Sequence, residues 1–133
     1  MVWDIEKMNE LISTAINMMD KARAPYSNYK VGAAVETADG KIIGGCNVEN
    51  ASYPLSNCAE RTALFTAVAD GHSQFNALAV ATGNGCSPCG ACRQVILELC
   101  GDIPIYICDN HGLISETTSK ALLPNPFDET KLI

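Results

Sequence analysis

The sequence predicts an α/β domain built on a five-stranded, partly antiparallel sheet covered by helices. Three observations predict it. Segments with apolar residues at helical spacing alternate with short runs of strand-forming residues. Asp39-Gly40 joins two such runs as a hairpin turn. The 133 residues, 47% apolar and 18% charged, supply one hydrophobic core, so residues 1–133 read as a single domain.

In order along the chain, residues 5–23 place Met8, Leu11, Ile12, Ala15, Met18, Met19 and Ala22 on one helical face, with Asp4 as cap. Ala24-Pro25-Tyr26-Ser27-Asn28 is a turn, and Lys30 to Thr37 and Lys41 to Val48 are the hairpin strands. A second helix runs from Cys58 to Ala69 and stops at Gly71; a strand follows from Ala77 to Thr82. A third helix spans Pro88 to Leu99, with Ser87 as cap and Gly101 just past its end. Ile103 to Asp109 and Leu113 to Thr117 are strands around the turn Asn110-His111-Gly112. A short helix over Ser119 to Leu123 breaks at Pro124-Asn125-Pro126.

Composition narrows the partners. A formal charge of −6 with nine Lys and Arg offers no basic groove for a phosphate backbone, which leaves nucleic acid disfavoured and uncharged small molecules open. No apolar run nears the roughly 20 residues of a membrane helix, and the start lacks a basic leader and apolar core. These features predict a cytoplasmic protein without a membrane partner. Seven cysteines, an odd number, suit that compartment as thiols. Cys100 and Cys108 read as buried thiols without a task, and His72 and His111, beside turn glycines, as solvated.

The chemistry concentrates at two helix starts. Cys89-Gly90-Ala91-Cys92 sets two thiols on one side of a helical turn, where the helix dipole and free amides favour thiolates. Thirty-one residues before Cys89, Cys58-Ala59-Glu60 opens the other helix. Three soft ligands leave a tetrahedral zinc with one position for water, and Glu60 two residues from a ligand can serve as its base. In a regular helix residues 58 and 60 point about 200° apart, so the arrangement requires Cys58 in an irregular lead-in. A zinc with three thiolates carries 2 − 3 = −1, offset by two helix N-termini of about +0.5 each. Arg61 is placed to donate to a ligand sulfur. Plainer readings stand beside these. Asn57 and Glu60 have capping-box spacing, which makes Glu60 structural; Cys46 or Cys86 could close the zinc site as a fourth thiol; Arg61 could be an exposed helix charge.

Asn57-Cys58-Ala59-Glu60-Arg61-Thr62-Ala63 together with Ser87-Pro88-Cys89-Gly90-Ala91-Cys92-Arg93-Gln94-Val95 resembles the small homotetrameric zinc-dependent cytidine deaminases. The likeness continues through Ala24-Pro25-Tyr26-Ser27, Val31-Gly32-Ala33-Ala34, Gly45 to Ala51 and Leu122-Leu123-Pro124. It implies a three-layer α/β/α fold with a five-stranded mixed sheet and one Zn²⁺ per subunit on Cys58, Cys89 and Cys92. It also implies hydrolysis of free cytidine and deoxycytidine to uridine and deoxyuridine plus ammonia, a step of pyrimidine salvage. Glu60 would take a proton from zinc-bound water, the hydroxide would attack C4, and Glu60 would return the proton to N3 and help ammonia leave. By the same resemblance Asn47 and Glu49 hold the ribose hydroxyls, and backbone groups at Ala59 and near Ser87 read the pyrimidine edge. Tyr29 stacks on the base, Tyr53 sits at an interface, and Phe127 reaches a neighbouring subunit's site in a homotetramer. The chain departs from the pattern in its short Thr82–Cys86 segment, with an unusual Cys86, and in Pro126 before Phe127. Other amine substrates fit the zinc motif too: a nucleotide, a polymer or an aminonucleoside antibiotic. Glu49 disfavours phosphate.

Overall fold

Helix α1 (Ile5–Met18) forms where the apolar stripe is, and it buries Leu11, Ile12 and Ala15. The computed structural model describes residues 5–132, so the expected cap Asp4 lies outside the described residues. The helix is shorter than its periodicity predicts. After Met18 it tightens into a 3₁₀ turn (Met19–Lys21), because Arg23 is drawn into extended pairing with the segment around Val48. Arg23 N–H donates to the Asn47 carbonyl at 2.9 Å and its own carbonyl accepts from Glu49 N–H at 2.8 Å.

Strands β1 (Val31–Thr37) and β2 (Ile42–Cys46) make the expected hairpin, with Gly40 at φ 89° in the turn. β2 ends two residues before the predicted Val48, since Val48 pairs with Arg23 and Asn57 instead of β1. Helix α2 (Ala59–Ala69) leads to β3 (Phe75–Thr82), which starts two residues earlier than expected. Helix α3 (Gly90–Cys100), β4 (Pro104–Asp109), β5 (Gly112–Thr118) and the one-turn α4 (Ser119–Leu122) complete the series. Two 3₁₀ turns, Tyr53–Leu55 and Glu129–Lys131, carry no periodicity that the sequence could announce. His72 is not solvated as expected: it is half-buried with Nδ1 3.9 Å from Asp39 Oδ1 of the hairpin turn.

The sheet runs β2-β1-β3-β4-β5 and is mixed. Only β3 and β4 are parallel, and a parallel neighbour demands a crossover, which α3 supplies. Alternate residues face opposite cores. Ala33, Val35, Leu78, Val80, Ile105 and Ile107 pack under α2 and α3, whereas Ala34, Ala77, Ala79, Ala81, Tyr106 and Cys108 meet α1. The predicted three-layer α/β/α arrangement follows from that alternation. Fully buried Leu11, Leu64, Leu78, Ile96 and Ile105 anchor the two cores, each contributing about 2 kcal/mol.

Gly45 fixes how closely α2 lies on the sheet. A Cβ there would sit 2.4 Å from Ala63 N and 2.7 Å from Ala59 O, both backbone atoms that cannot yield. Gly45→Ala is therefore expected to cost about 3 kcal/mol and lower the thermal midpoint by about 10 °C, read by calorimetry. A midpoint within 2 °C or so of the unaltered protein would mean that α2 is free to shift.

Candidate active site

At the ends of β1, β2 and β3 nearest Val31, Cys46 and Thr82, two helix N-termini converge. Cys58 is the N-cap of α2, with extended backbone at φ −73° and ψ 155°. This is the irregular lead-in the motif requires: an extended Cys58 can turn toward the same space as Glu60. Cys89 is likewise the N-cap of α3, at φ −67° and ψ 168°. That corrects the expected start at Pro88 with Ser87 as cap. The Ser87 hydroxyl is engaged elsewhere, accepting from the Arg93 guanidinium at 2.7 Å, while Arg93 Nε holds the Pro88 carbonyl at 2.7 Å. Arg93 also reaches the Leu122 carbonyl at 3.1 Å, so it lashes the loop before α3 to the end of α4.

The sulfurs of Cys58, Cys89 and Cys92 lie within 4.8 Å of one another, with Cys58 and Cys89 at 3.9 Å. Tetrahedral zinc with bonds of 2.3 Å spaces its sulfurs by about 3.8 Å, so this donor set fits the metal. Among the described residues no fourth Cys, His, Asp or Glu joins the cluster, and Cys46 points instead at the Lys21 carbonyl. A closed four-thiol site is not formed. Hydrogen bonding with Cys92, then with Arg61, pulls the Cys58 thiol down to about 5, while Cys92, the donor of that bond and itself buried, is pushed up.

Arg61 is not the free surface charge of the plain reading. Its Nη2 donates to Cys58 Sγ at 3.3 Å, and its Nε is buried without a hydrogen-bond partner. An orphaned guanidinium nitrogen beside a thiol cluster is what an anionic metal–thiolate centre would satisfy.

Glu60 is the second residue of α2 and is 4% exposed. Burial, with the negative Cys58 beside it, raises its carboxyl to about 7. The capping-box reading fails on geometry, since Asn57 is not the cap and its amide donates to the Thr62 hydroxyl at 3.4 Å.

Glu60, Cys58 and Cys89 line a cleft of about 430 Å³, a size that suits a small organic ligand, with Cys92 buried beside them. Ser27, Tyr29, Asn47, Glu49, Tyr53, Cys86 and Ser87 line it as well. Residues distant in sequence are thus brought together by the adjacency of β1, β2 and β3. Glu49 is 6% exposed and accepts from Tyr26 N–H at 3.0 Å, Ser27 N–H at 3.1 Å and the Ser27 hydroxyl. The Ser27 hydroxyl holds its carboxyl below the usual range. The Asn47 amide bridges Val31 N–H at 2.9 Å and the Tyr29 carbonyl at 2.8 Å, keeping one N–H and one lone pair free. Ala59, expected at the cleft, is fully buried in the core, and its side chain is not part of the cleft lining.

Phe127 does not join the cleft of its own chain. It is 58% exposed, and its backbone is pinned to the side chain of Gln94 on α3, in a separate apolar groove with Phe65 and Val95. Sequence reading missed Asn84, which accepts from the Tyr29 hydroxyl at 2.7 Å and the Thr82 hydroxyl at 3.2 Å and so ties the short loop to the aromatic wall. Only its place in an Asn-Gly loop beside the second cysteine motif could have flagged it.

A mixed sheet between helix layers, carrying three thiols and a buried carboxylate at two converging helix starts, defines the class of zinc-dependent base deaminases. Comparison with known proteins narrows the class. Residues 5–107 match the family model "Cytidine and deoxycytidylate deaminase zinc-binding region". A cytidine deaminase of Sporosarcina psychrophila is 49% identical over 132 residues, covering 97% of this chain and 95% of its own. The crystal structure of a cytidine deaminase from Burkholderia pseudomallei superposes with a TM-score of 0.85 at 50% identity, covering 90% of this chain and 98% of that one. One from Mycobacterium tuberculosis gives 0.79 at 37% identity, over 91% and 97%. The chain belongs to the zinc-dependent cytidine deaminase family.

Proposed function

We propose that this single-domain chain hydrolyses free cytidine and deoxycytidine to uridine and deoxyuridine, releasing ammonia, in pyrimidine salvage. One observation carries the reading: a buried carboxylate and two sulfurs of a three-thiol cluster line one cleft together with a second, well-anchored carboxylate. Cys58, Cys89 and Cys92 would hold one Zn²⁺ per subunit, whose Lewis acidity brings the pKa of water within reach of a carboxylate base.

Glu60 takes the proton of the attacking water, and its burial keeps it basic enough to do so near neutral pH. The protonated carboxyl passes its proton to N3 as the C4–O bond forms; it then takes the proton of the new C4 hydroxyl and hands it to the amine, which leaves as ammonia while the C4 carbonyl forms. Arg61 offsets the charge of the thiolates, so Glu60 works beside a centre closer to neutral. Backbone groups at Ala59 and Ser87 read the pyrimidine edge, and Tyr29 flanks the base. Asn47 and Glu49 receive the sugar. The ionised Glu49 repels a phosphorylated sugar, which favours nucleosides over nucleotides. Phe127 faces away from its own cleft, and this supports its service to a neighbouring subunit in a homotetramer. No helix among the described residues is long and apolar enough to cross a membrane, in keeping with a cytoplasmic enzyme.

The test is ultraviolet absorbance of cytidine, deoxycytidine and cytidine monophosphate incubated with the zinc-loaded protein. Both nucleosides are expected to convert, with the monophosphate slower by at least about 100-fold. No conversion of cytidine by a folded, zinc-loaded sample would overturn the assignment, and equal turnover of the monophosphate would remove Glu49 as a selector.

A further inference from the structure

The turn at residues 24–28 is built more rigidly than a connection between helix and sheet requires. Pro25 fixes its own φ, and Asn28 stands at φ 56°, a left-handed conformation that asparagine tolerates better than most residues. Asn28 N–H closes the turn on the Ala24 carbonyl at 3.0 Å. Within this frame the Ser27 side chain has both of its hydrogen-bonding capacities assigned. Its oxygen accepts from Tyr29 N–H at 3.0 Å, and its hydroxyl proton goes to Glu49 Oε2.

Glu49 then has three donors on two oxygens: Tyr26 N–H and Ser27 N–H on Oε1, the Ser27 hydroxyl on Oε2. A carboxylate offers about four acceptor positions, so roughly one remains. It belongs to a nearly buried group lining the cleft. Without Ser27, Oε2 would lose its protein donor and the carboxylate could rotate about the bond that Oε1 anchors.

We propose that Ser27 is a positioning residue for sugar recognition: it fixes the Glu49 carboxylate so that its last acceptor position meets the 3′-hydroxyl of a nucleoside. The inference rests on the nucleoside reading above and adds to it the residue that orients the sugar acceptor. Because the same oxygen holds Tyr29 N–H, one turn sets both the sugar acceptor and the aromatic wall of the cleft. Sugar recognition therefore depends on a residue that itself need not touch the substrate.

The experiment compares kcat and KM of the unaltered protein, Ser27→Ala and Ser27→Thr on cytidine, 2′-deoxycytidine and 3′-deoxycytidine, with enough enzyme to follow the slowest pair. For Ser27→Ala, KM is expected to rise about tenfold on both 3′-hydroxylated substrates, with kcat within about twofold. On 3′-deoxycytidine, which feels only the share of the loss that passes through Tyr29, kcat/KM should fall by no more than about twofold, and Ser27→Thr should restore most of the loss. An equal penalty on all three substrates would overturn the proposal, since it would mark Ser27 as merely structural. So would an unchanged KM. Cytidine turnover by the unaltered protein is the internal control: its absence overturns the nucleoside reading and this inference together, whereas its presence isolates Ser27. Should Ser27→Ala lose its fold, Ser27→Cys, which keeps the volume and weakens the donor, is read against the same three substrates by the same criteria.

Discussion

Replacing Glu60 with Gln is expected to slow cytidine turnover by about 10⁴-fold without loss of fold or metal. The amide keeps the size and the hydrogen-bonding reach of the carboxyl but can neither take a proton nor return one. In the proposed mechanism every proton step passes through this one group, so no second acid in the cleft would share the loss; Glu49, the other carboxylate there, is already committed to Tyr26 and Ser27. Three readouts belong together: kcat by absorbance, zinc content by metal analysis and the thermal midpoint. A midpoint at or above that of the unaltered protein is expected, because a buried carboxylate is replaced by a neutral group. Turnover within tenfold of the original would reduce Glu60 to a structural residue of α2.

Zinc removal carries the second large effect. Chelation is expected to abolish turnover completely, lower the thermal midpoint and leave the far-ultraviolet circular dichroism unchanged, with activity returning when zinc is restored. The fold should survive because the two cores flanking the sheet draw on Leu11, Leu64, Leu78, Ile96 and Ile105, none of which the metal holds. The midpoint should drop because the metal ties the starts of α2 and α3 together and because three thiols packed within 4.8 Å lose their common partner. Cys92→Ser should reproduce the inactive state with no recovery on added zinc. Collapse of the dichroism on chelation would identify the metal as a folding staple, and full activity after its removal would exclude it from the reaction.

Much of this site was legible in the sequence because its chemistry is compressed into two short motifs. C-x-E and C-x-x-C single out the three thiols and the carboxylate that the fold brings together, and Gly71, Gly101 and Asp39-Gly40 punctuate the elements around them. What the sequence could not supply came from tertiary pairing. The early end of α1 is imposed by Arg23 joining Val48, and the shift of the α3 start from Pro88 to Gly90 by Arg93 claiming Ser87 and Pro88. The first joins distant segments that no local pattern links; the second is a side-chain contact reaching back five and six residues, which cap and proline preferences do not encode. Asn84 escaped for the first reason, as its partner Tyr29 lies 55 residues away. Glu49 was found, but its three donors were not, because the turn that provides them is legible only as a turn.

The placement of every reactive group at one end of the sheet has a practical corollary. The far end, with the Asp39-Gly40 hairpin, Gly71 after α2 and Gly101 after α3, is exposed or half-buried, and nothing crowds Gly71 or Gly101 within 4 Å. The length of β1 and β3, seven and eight residues, separates these turns from the thiols, about 20 Å of strand. A fluorophore, an affinity tag or a surface tether attached at Asp70 would therefore report on or immobilise the molecule without entering the reaction chamber. The exposed thiols of Cys86 and Cys89 at the cleft would compete for maleimide, so such a handle is better joined through an inserted peptide than through an added cysteine.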